Sequence, residues 1–412
     1  MAGDWIDTTL GEILTLQRGF DLPEAERKPG SHPIIASTGP VGTHAQAMVQ
    51  GPGVVIGRSG SLGGGQFIES DFWPLNTTLW VKDFKGNDRR FCYYLLKSLD
   101  LARFNAGSGV PTLNRNHIHP LPLVVPTDLR EQHAIAQILG TLDDKIELNR
   151  RINETLEAMA RALFKSWFVD FDPIRAKAEG RDPGLPEPLA DLFPARLVDS
   201  ELGDIPDGWQ TGAILEHAQL MSGGTPKTDR PEYWGGSIAW ASAKDVSQSP
   251  GTFLVATERT ITERGLNESA TQMVPALCSV VVARGATTGR MVLFGCDMAM
   301  NQTCYALAST TETPFALYCR LRVEVDALVH AAHGSVFDTI TTSTFTSSRV
   351  VLPPKLLLKA FEERAAPLFL RVLESTRESR ALAALRDALL PKLISGEIRV
   401  KEAGRVMKEA TA

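Results

Sequence analysis

No apolar run in this chain reaches the roughly 20 residues that a membrane-spanning helix requires, and no secretory leader opens it. Both absences lead us to expect a cytoplasmic protein without membrane contact. Cysteine is scarce. The five present, Cys92, Cys278, Cys296, Cys304 and Cys319, are odd in number and lack metal-ligand spacing, so they read as reduced thiols rather than a disulfide framework. The formal net charge of -5 gives no global pull toward nucleic acid, so any DNA footprint must be local or shared with a partner. Catalytic motifs are missing as well. There is no G-x-x-x-x-G-K-[ST] loop for nucleotide phosphates. The glycine run Gly60–Gly65 does not lead from a strand into a helix with dinucleotide spacing and reads as a turn. No serine sits in a nucleophile elbow. His117, His119 and His133 have neither cysteines nor a fourth ligand near them, so they are expected on loop and helix surfaces rather than around a metal. Asp170-Phe171-Asp172-Pro173 reads as a helix stop, not a carboxylate pair. The expectation is a chain without catalysis, metal or bound cofactor of its own.

What is present is a long heptad pattern. Ile135, Leu139, Leu142, Ile146, Asn149, Asn153, Leu156, Ala160, Leu163 and Trp167 alternate steps of four and three, which predicts one continuous seam for a partner helix. Asp128 with Glu131 reads as a capping box at its start, and Asp172-Pro173 as its stop. A helix of this length, roughly 60 Å at 1.5 Å per residue, cannot stand alone. Its partner lies in the same chain. Phe361, Ala365, Leu368, Val372, Ser375, Ser379, Leu382, Arg386 and Leu389 repeat the first series at a constant offset of 226 residues. Even the polar step recurs, and only Arg386, opposite Ala160 in the count, breaks it. If the helices run antiparallel, Asn149 faces Ser379 and Asn153 faces Ser375, a polar layer that fixes register.

The repeat extends beyond the helices. Trp5 answers Trp209, and Val55–Gly63 answers Val281–Gly289, which pairs Arg58 with Arg284. Asn76-Thr77-Thr78 answers Asn301-Gln302-Thr303, Gly107-Ser108 answers Gly334-Ser335, and Thr112-Leu113 answers Thr339-Ile340. Length suits two or three domains. We therefore expect an α+β chain with an internal pseudo-twofold: a first domain (1–127), a first long helix (128–169), a proline-rich connector (170–208), a second domain (209–352), a second long helix (353–396) and a C-terminal tail (397–412). Short β-rich runs (Pro33–Ala36, Val54–Ile56, Gln66–Ile68, Thr78–Val81) alternate with glycine turns in the first domain, and a short helix follows at about Asp88–Ser98.

Two similar domains on paired helices have the geometry of a two-half-site DNA reader. The loops carry suitable groups: Arg58, Ser59, Ser61, Asn76, Ser108, Thr112, Asn114 and Arg115 in the first domain, and Lys227, Arg284, Thr287, Thr288, Asn301, Gln302 and Ser335 in the second. Arginines fork onto guanine edges or phosphates, asparagine and glutamine pair with adenine, and hydroxyls serve either.

Specific stretches then resemble one family. Gly223-Gly224-Thr225-Pro226 with Pro231-Glu232-Tyr233-Trp234-Gly235-Gly236, Ile261–Leu266 and Arg284–Gly289 through Asn301-Gln302 are similar to a target-recognition domain of type I restriction–modification specificity (S) subunits. So are Leu129-Arg130-Glu131-Gln132, Ala162–Phe171 and Leu389–Ile398. The first domain departs, having Gln17-Arg18-Gly19-Phe20 in place of the Gly-Gly-Thr-Pro turn. The resemblance implies double-stranded DNA as ligand, one recognition domain per half of a split target, and antiparallel helices as spacer. Two modification (methyltransferase) subunits would dock on that frame and carry S-adenosylmethionine, and restriction subunits would carry translocation and cleavage. A fused methyltransferase is disfavoured, since neither its cofactor loop nor an Asn/Asp-Pro-Pro-aromatic motif is present. Phe164, Trp167, Phe168 and Phe171, with Leu389, Leu390 and Leu393, are the expected docking surface, although Trp167 also fits the seam. Open alternatives are a subunit of a related methyltransferase–nuclease assembly and a protein-binding coiled-coil scaffold.

Overall fold

The computed structural model describes residues 5–331 and 339–411. Its two compact units are Met1–Glu147 with Arg380–Ala412, and Leu148–Ser379. Each contains one globular domain and a segment of each long helix.

In the first unit, β1 (Trp5–Thr9) pairs antiparallel with the last strand of the domain, Pro122–Pro126, and ties its two ends together. Between them run β2 (Thr15–Arg18), β3 (His32–Ala36), β4 (Gly39–His44), β5 (Gly53–Gly57), β6 (Gly63–Ile68), β7 (Trp73–Pro74) and β8 (Thr78–Asp83), with Pro122–Pro126 as β9. They form two sheets, β2-β8-β5-β6 and β4-β3-β7. β5 is buried along its whole length, as Val54-Val55-Ile56 requires of a central strand. The helix Arg89–Ser98 starts where Asp88 accepts the Phe91 amide, at the N-cap. It buries Phe91, Tyr94 and Leu95 beside Ile135, Leu139 and Leu142 of the first long helix (Leu129–Phe168). Leu389, Leu390 and Leu393 of the second long helix (Lys355–Ser395) complete that core. Asp128 caps the first long helix by accepting the Arg130 amide at 2.9 Å and pairing with its guanidinium, in place of a reciprocal box with Glu131. Arg386, which interrupts the heptads, has a physical reason. It reaches Asp143 at 2.5 Å across the helix pair, and both side chains are largely shielded from solvent.

The second unit repeats this plan. After β10 (Leu197–Val198) and β11 (Ile205–Pro206), β12 (Gln210–Ala213) pairs with the closing strand Arg349–Leu352. Between these lie β13 (Ala218–Ser222), β14 (Trp234–Ala241), β15 (Phe253–Leu254), β16 (Arg259–Ile261), β17 (Met273–Val274), β18 (Ser279–Val282), β19 (Met291–Phe294), β20 (Met298–Met300) and β21 (Cys304–Ser309), and Arg349–Leu352 is β22. The sheets are β13-β21-β18-β19-β15 and β16-β14-β20-β17. Remove the edge strands β15 and β17 and the order matches the first domain strand for strand, including the parallel pair β14–β20 against β3–β7.

One expectation about the helices needs correction, the stop of the first. The first long helix ends at Phe168, before Asp172-Pro173: the amides of Val169 and Asp170 both bond to the Lys165 carbonyl, and Phe171 turns left-handed at φ 57°. Pro173 then opens a second helix, Asp172–Ala178, in the first turn, where a missing N–H costs nothing. The proline-rich connector is therefore packed, with Phe171, Ile174, Leu189 and Phe193 inside the core of the unit. The tail also holds structure, a helix Val400–Thr411. Among the described residues no helix is long and apolar enough to cross a membrane. Burial pushes the thiols of Cys92 and Cys304 up to about 12, so neither is a ready nucleophile.

Candidate nucleic-acid interface

The loop residues singled out in the first domain converge on one end of its larger sheet. The amides of Arg58 and Ser59 both bond to the Thr77 carbonyl, at 2.8 and 3.0 Å, and the Leu113 amide bonds to the Arg58 carbonyl at 2.7 Å. Ser59 bridges to Thr112. Three loops are thus sewn together through backbone, which leaves their side chains to vary. Arg58 is half-buried and its guanidinium donates to the Asn76 carbonyl at 3.2 Å. Asn76 donates to Asp21, and Arg18 bonds to the same carboxylate. Asn114 caps the short helix Arg115–Ile118, and Arg115 donates to the Leu16 carbonyl at 3.2 Å. Ser61 and Ser108 are exposed on neighbouring turns, and Thr112 bonds to Val110 within its own loop.

The second domain has the same stitching with other side chains. The Ala283 amide bonds to the Thr303 carbonyl at 2.8 Å, the Ile340 amide to the Ala283 carbonyl at 2.8 Å, and Arg284 bridges to Thr339. These bonds correct the sequence alignment by one residue. Ala283 stands where Arg58 stands, and Arg284 where Ser59 stands. The cause is that Gly57–Gly63 and Val282–Gly289 enclose turns of different length, and a one-residue slip on a strand end exchanges its faces. Arg284 is exposed, as are Thr287, Gln302 and Lys227. Thr288 bonds to the Gly285 carbonyl at 2.7 Å, and Asn301 spends its carbonyl oxygen on Thr303. Asn301 is thus a turn-former here. Ser335 and the neighbouring Gly334 lie outside the described residues.

The same correction extends to the glycine turn. A Cβ at Gly223 would lie 2.3 Å from the Met300 and Asn301 carbonyl oxygens, and one at Gly19 would lie 2.2 Å from that of Leu75. Gly19 therefore does in the first domain what Gly223 does in the second, and the Gly-Gly-Thr-Pro turn has a counterpart there. Two positions on, Asp21–Asn76 answers Thr225–Gln302. Sequence reasoning missed Asp21 and Thr225, which hold candidate reading residues in place. It also missed a buttress behind Lys227. The Trp234 indole N–H donates to the Lys227 carbonyl at 3.1 Å, Trp240 donates to Gly224 at 3.0 Å, and the Arg259 guanidinium stacks 3.4 Å from the Trp234 ring centre.

The expected docking aromatics are not a surface. Phe164, Trp167, Phe168 and Phe171 are at most 7% exposed and meet Phe361, Phe193 and Trp209 edge-on within the core of the second unit. Leu389, Leu390 and Leu393 are likewise buried, in the core of the first unit. Their apolar area is already spent inside the chain, so a partner cannot use it. At the polar layer, Asn149 is fully buried and donates to Ser379 at 3.2 Å, to Glu378 at 2.8 Å and to the Ser375 carbonyl at 3.5 Å. Asn153 donates to the Thr376 hydroxyl at 3.4 Å, and the buried Ser375 hydroxyl takes no part. As for the histidines, the His119 ring accepts the Leu16 amide at 3.1 Å, and burial lowers its pKa; His133 sits 3.3 Å from Asp88. Among the described residues no cluster of three or more metal-ligating side chains forms.

Comparison with known proteins follows the same outline. The family model "Type I restriction modification DNA specificity domain" matches twice, at residues 2–158 and 206–356. The chain is 28% identical to the type I restriction enzyme HindI specificity subunit of Haemophilus influenzae, over 70% of this chain and 71% of that one. It is 24% identical to the MjaIX specificity subunit of Methanocaldococcus jannaschii, over 80% and 74%. Its fold is similar to that of a type I restriction–modification S subunit from M. genitalium, with a TM-score of 0.60 and 16% identity over 95% of this chain and 96% of that one.

Proposed function

The chain belongs to the type I restriction–modification DNA-specificity family, and from that premise we propose that each of its globular domains reads one half of a bipartite double-stranded DNA target. One observation carries this reading: the two domains present different side chains on the same backbone frame. Where the first domain offers Ser59, Asn76 and Thr112, the second offers Arg284, Gln302 and Thr339, on loops joined by matching amide–carbonyl bonds at Arg58 and Ala283 and by the matching bridges Ser59–Thr112 and Arg284–Thr339. Twofold DNA readers match protein symmetry to half-site spacing, and duplication within one chain lets the halves diverge.

In this reading the exposed members are the base and phosphate contacts: Arg284, Thr287, Gln302 and Lys227 in one half, and Ser61, Ser108, Asn114 and Arg115 in the other. Arg58, Asn76, Asn301 and Thr288 shape the loops. The paired helices act as the spacer between half-sites, and their solvent-facing sides receive two modification subunits. Methyl transfer and S-adenosylmethionine belong to those partners, translocation and cleavage to restriction subunits. The chain contributes specificity and no chemistry. Labelled S-adenosylmethionine tests this division: DNA should gain methyl groups only when the chain is combined with its modification subunits. Transfer by the purified chain alone would refute the reading.

A further inference from the structure

The second unit contains a cavity of about 160 Å³ that the recognition loops do not use. Three arginines from three separate elements line it: Arg161 of the first long helix, Arg290 at the start of β19, and Arg322 of the helix Pro314–Ala331. Arg161 and Arg290 are exposed at its rim, and Thr252 and Tyr318, both 5% exposed, form its floor. Glu157 is the one carboxylate in the lining, and it faces the Thr252 amide at 3.4 Å. Three guanidinium groups against Glu157 in the lining and Asp326 beside Arg322 leave an excess of one positive charge in a concave site, where field lines concentrate. The arginines are only lightly engaged. Arg161 donates to the Glu157 carbonyl of its own helix at 3.4 Å, and Arg322 stands 3.8 Å from Asp326. Planar guanidinium forks are suited to tetrahedral oxyanions such as phosphate.

The first unit lacks this arrangement at the matching place. Asp387 holds the position of Arg161 at the 226-residue offset. Lys97, which occupies the place of Arg322 on the corresponding helix, is held by Tyr93 at 3.1 Å and Asp143 at 3.7 Å. The charge is therefore a property of the second half alone. Arg290 also connects the cavity to the reading loop, since its carbonyl accepts the Val282 amide and its amide bonds to Thr287.

We propose that Arg161, Arg290 and Arg322 form a seat for a backbone phosphate of the DNA on the second half-site. This rests on the DNA-reading assignment and adds to it a contact that holds position without reading sequence. Each phosphate neutralised steepens the salt dependence of binding by about 0.9 in the slope of log K against log salt, so loss of this one seat removes at most about that much. The test is fluorescence anisotropy of the full chain on a long random-sequence duplex across a potassium chloride series. Arg290→Ala and Arg161→Ala should each flatten the slope, by up to about 0.9, and Arg290→Lys should retain it. Wild-type slopes in both alanine variants would overturn the phosphate seat. A wild-type chain that does not bind DNA even with its modification subunits would instead sink the DNA-reading assignment. Inorganic phosphate, titrated calorimetrically at fixed ionic strength, separates the remaining source. Saturable phosphate binding that Arg290→Ala abolishes, with the DNA slope unchanged, would assign the cavity to a free anion and overturn the proposal.

Discussion

Replacing Phe168 with serine separates core from docking surface. Phe168 is 5% exposed, and its ring lies 4.9 Å from Phe164, 6.1 Å from Trp167, 6.0 Å from Trp209 and 5.6 Å from Phe361. Truncating a buried phenylalanine costs about 3–5 kcal/mol. The new hydroxyl has little water to turn to there, and burying it without a partner adds roughly 1–3 kcal/mol. A loss of about 4–8 kcal/mol is a large part of the 5–15 kcal/mol typical of a domain. With a urea m-value of about 2 kcal/mol per molar, the midpoint should fall by roughly 2 M or more. Urea titration followed by tryptophan fluorescence reads this directly, because Trp167 and Trp209 flank the site. An unchanged midpoint together with lost co-purification of the modification subunit would refute the core assignment and restore these aromatics as a docking surface.

Other outcomes follow from particular contacts. Gly223→Ala sets a methyl 2.3 Å from two carbonyl oxygens, so the turn must move; the variant should be destabilised by about 1–3 kcal/mol in a thermal melt, and a melt like wild type would contradict the close approach. Glu362 accepts the Phe315 and Ala316 amides, yet burial raises its pKa to about 7. Because this carboxyl's folded pKa lies above its ordinary value of 4.5, the contribution of Glu362 to stability should be fully present below pH 4.5 and be lost as pH rises through about 7. Glu362→Gln should flatten that decline in urea titrations across the window, and parallel wild-type and variant curves would show that Glu362 is not its source.

The long helices were legible because heptads are a local pattern, and the strands of the first domain because Val54–Ile56 and its neighbours are short β-branched runs between glycines. The repeat was legible too, but its register at Arg58 and Arg284 was not, since turn length is invisible when identity is low. Asp21 and Thr225 escaped because their partners, Asn76 and Gln302, are 55 and 77 residues away. The aromatic end of the first long helix reads the same in sequence whether it faces a partner or its own chain. Phe171 shows how the structure decides: a left-handed phenylalanine is uncommon, and it is kept there by its ring packing against Trp209 at 5.6 Å.

If each domain reads its own half of the target, methylation-site mapping in a host carrying the modification subunits and either Arg284→Ala or Arg115→Ala will separate the halves. Arg284→Ala should relax recognition in one half only, by about 1–3 kcal/mol at the affected base pairs, and Arg115→Ala should act only on the other half. If both substitutions alter the same bases, the one-domain-per-half-site account is wrong.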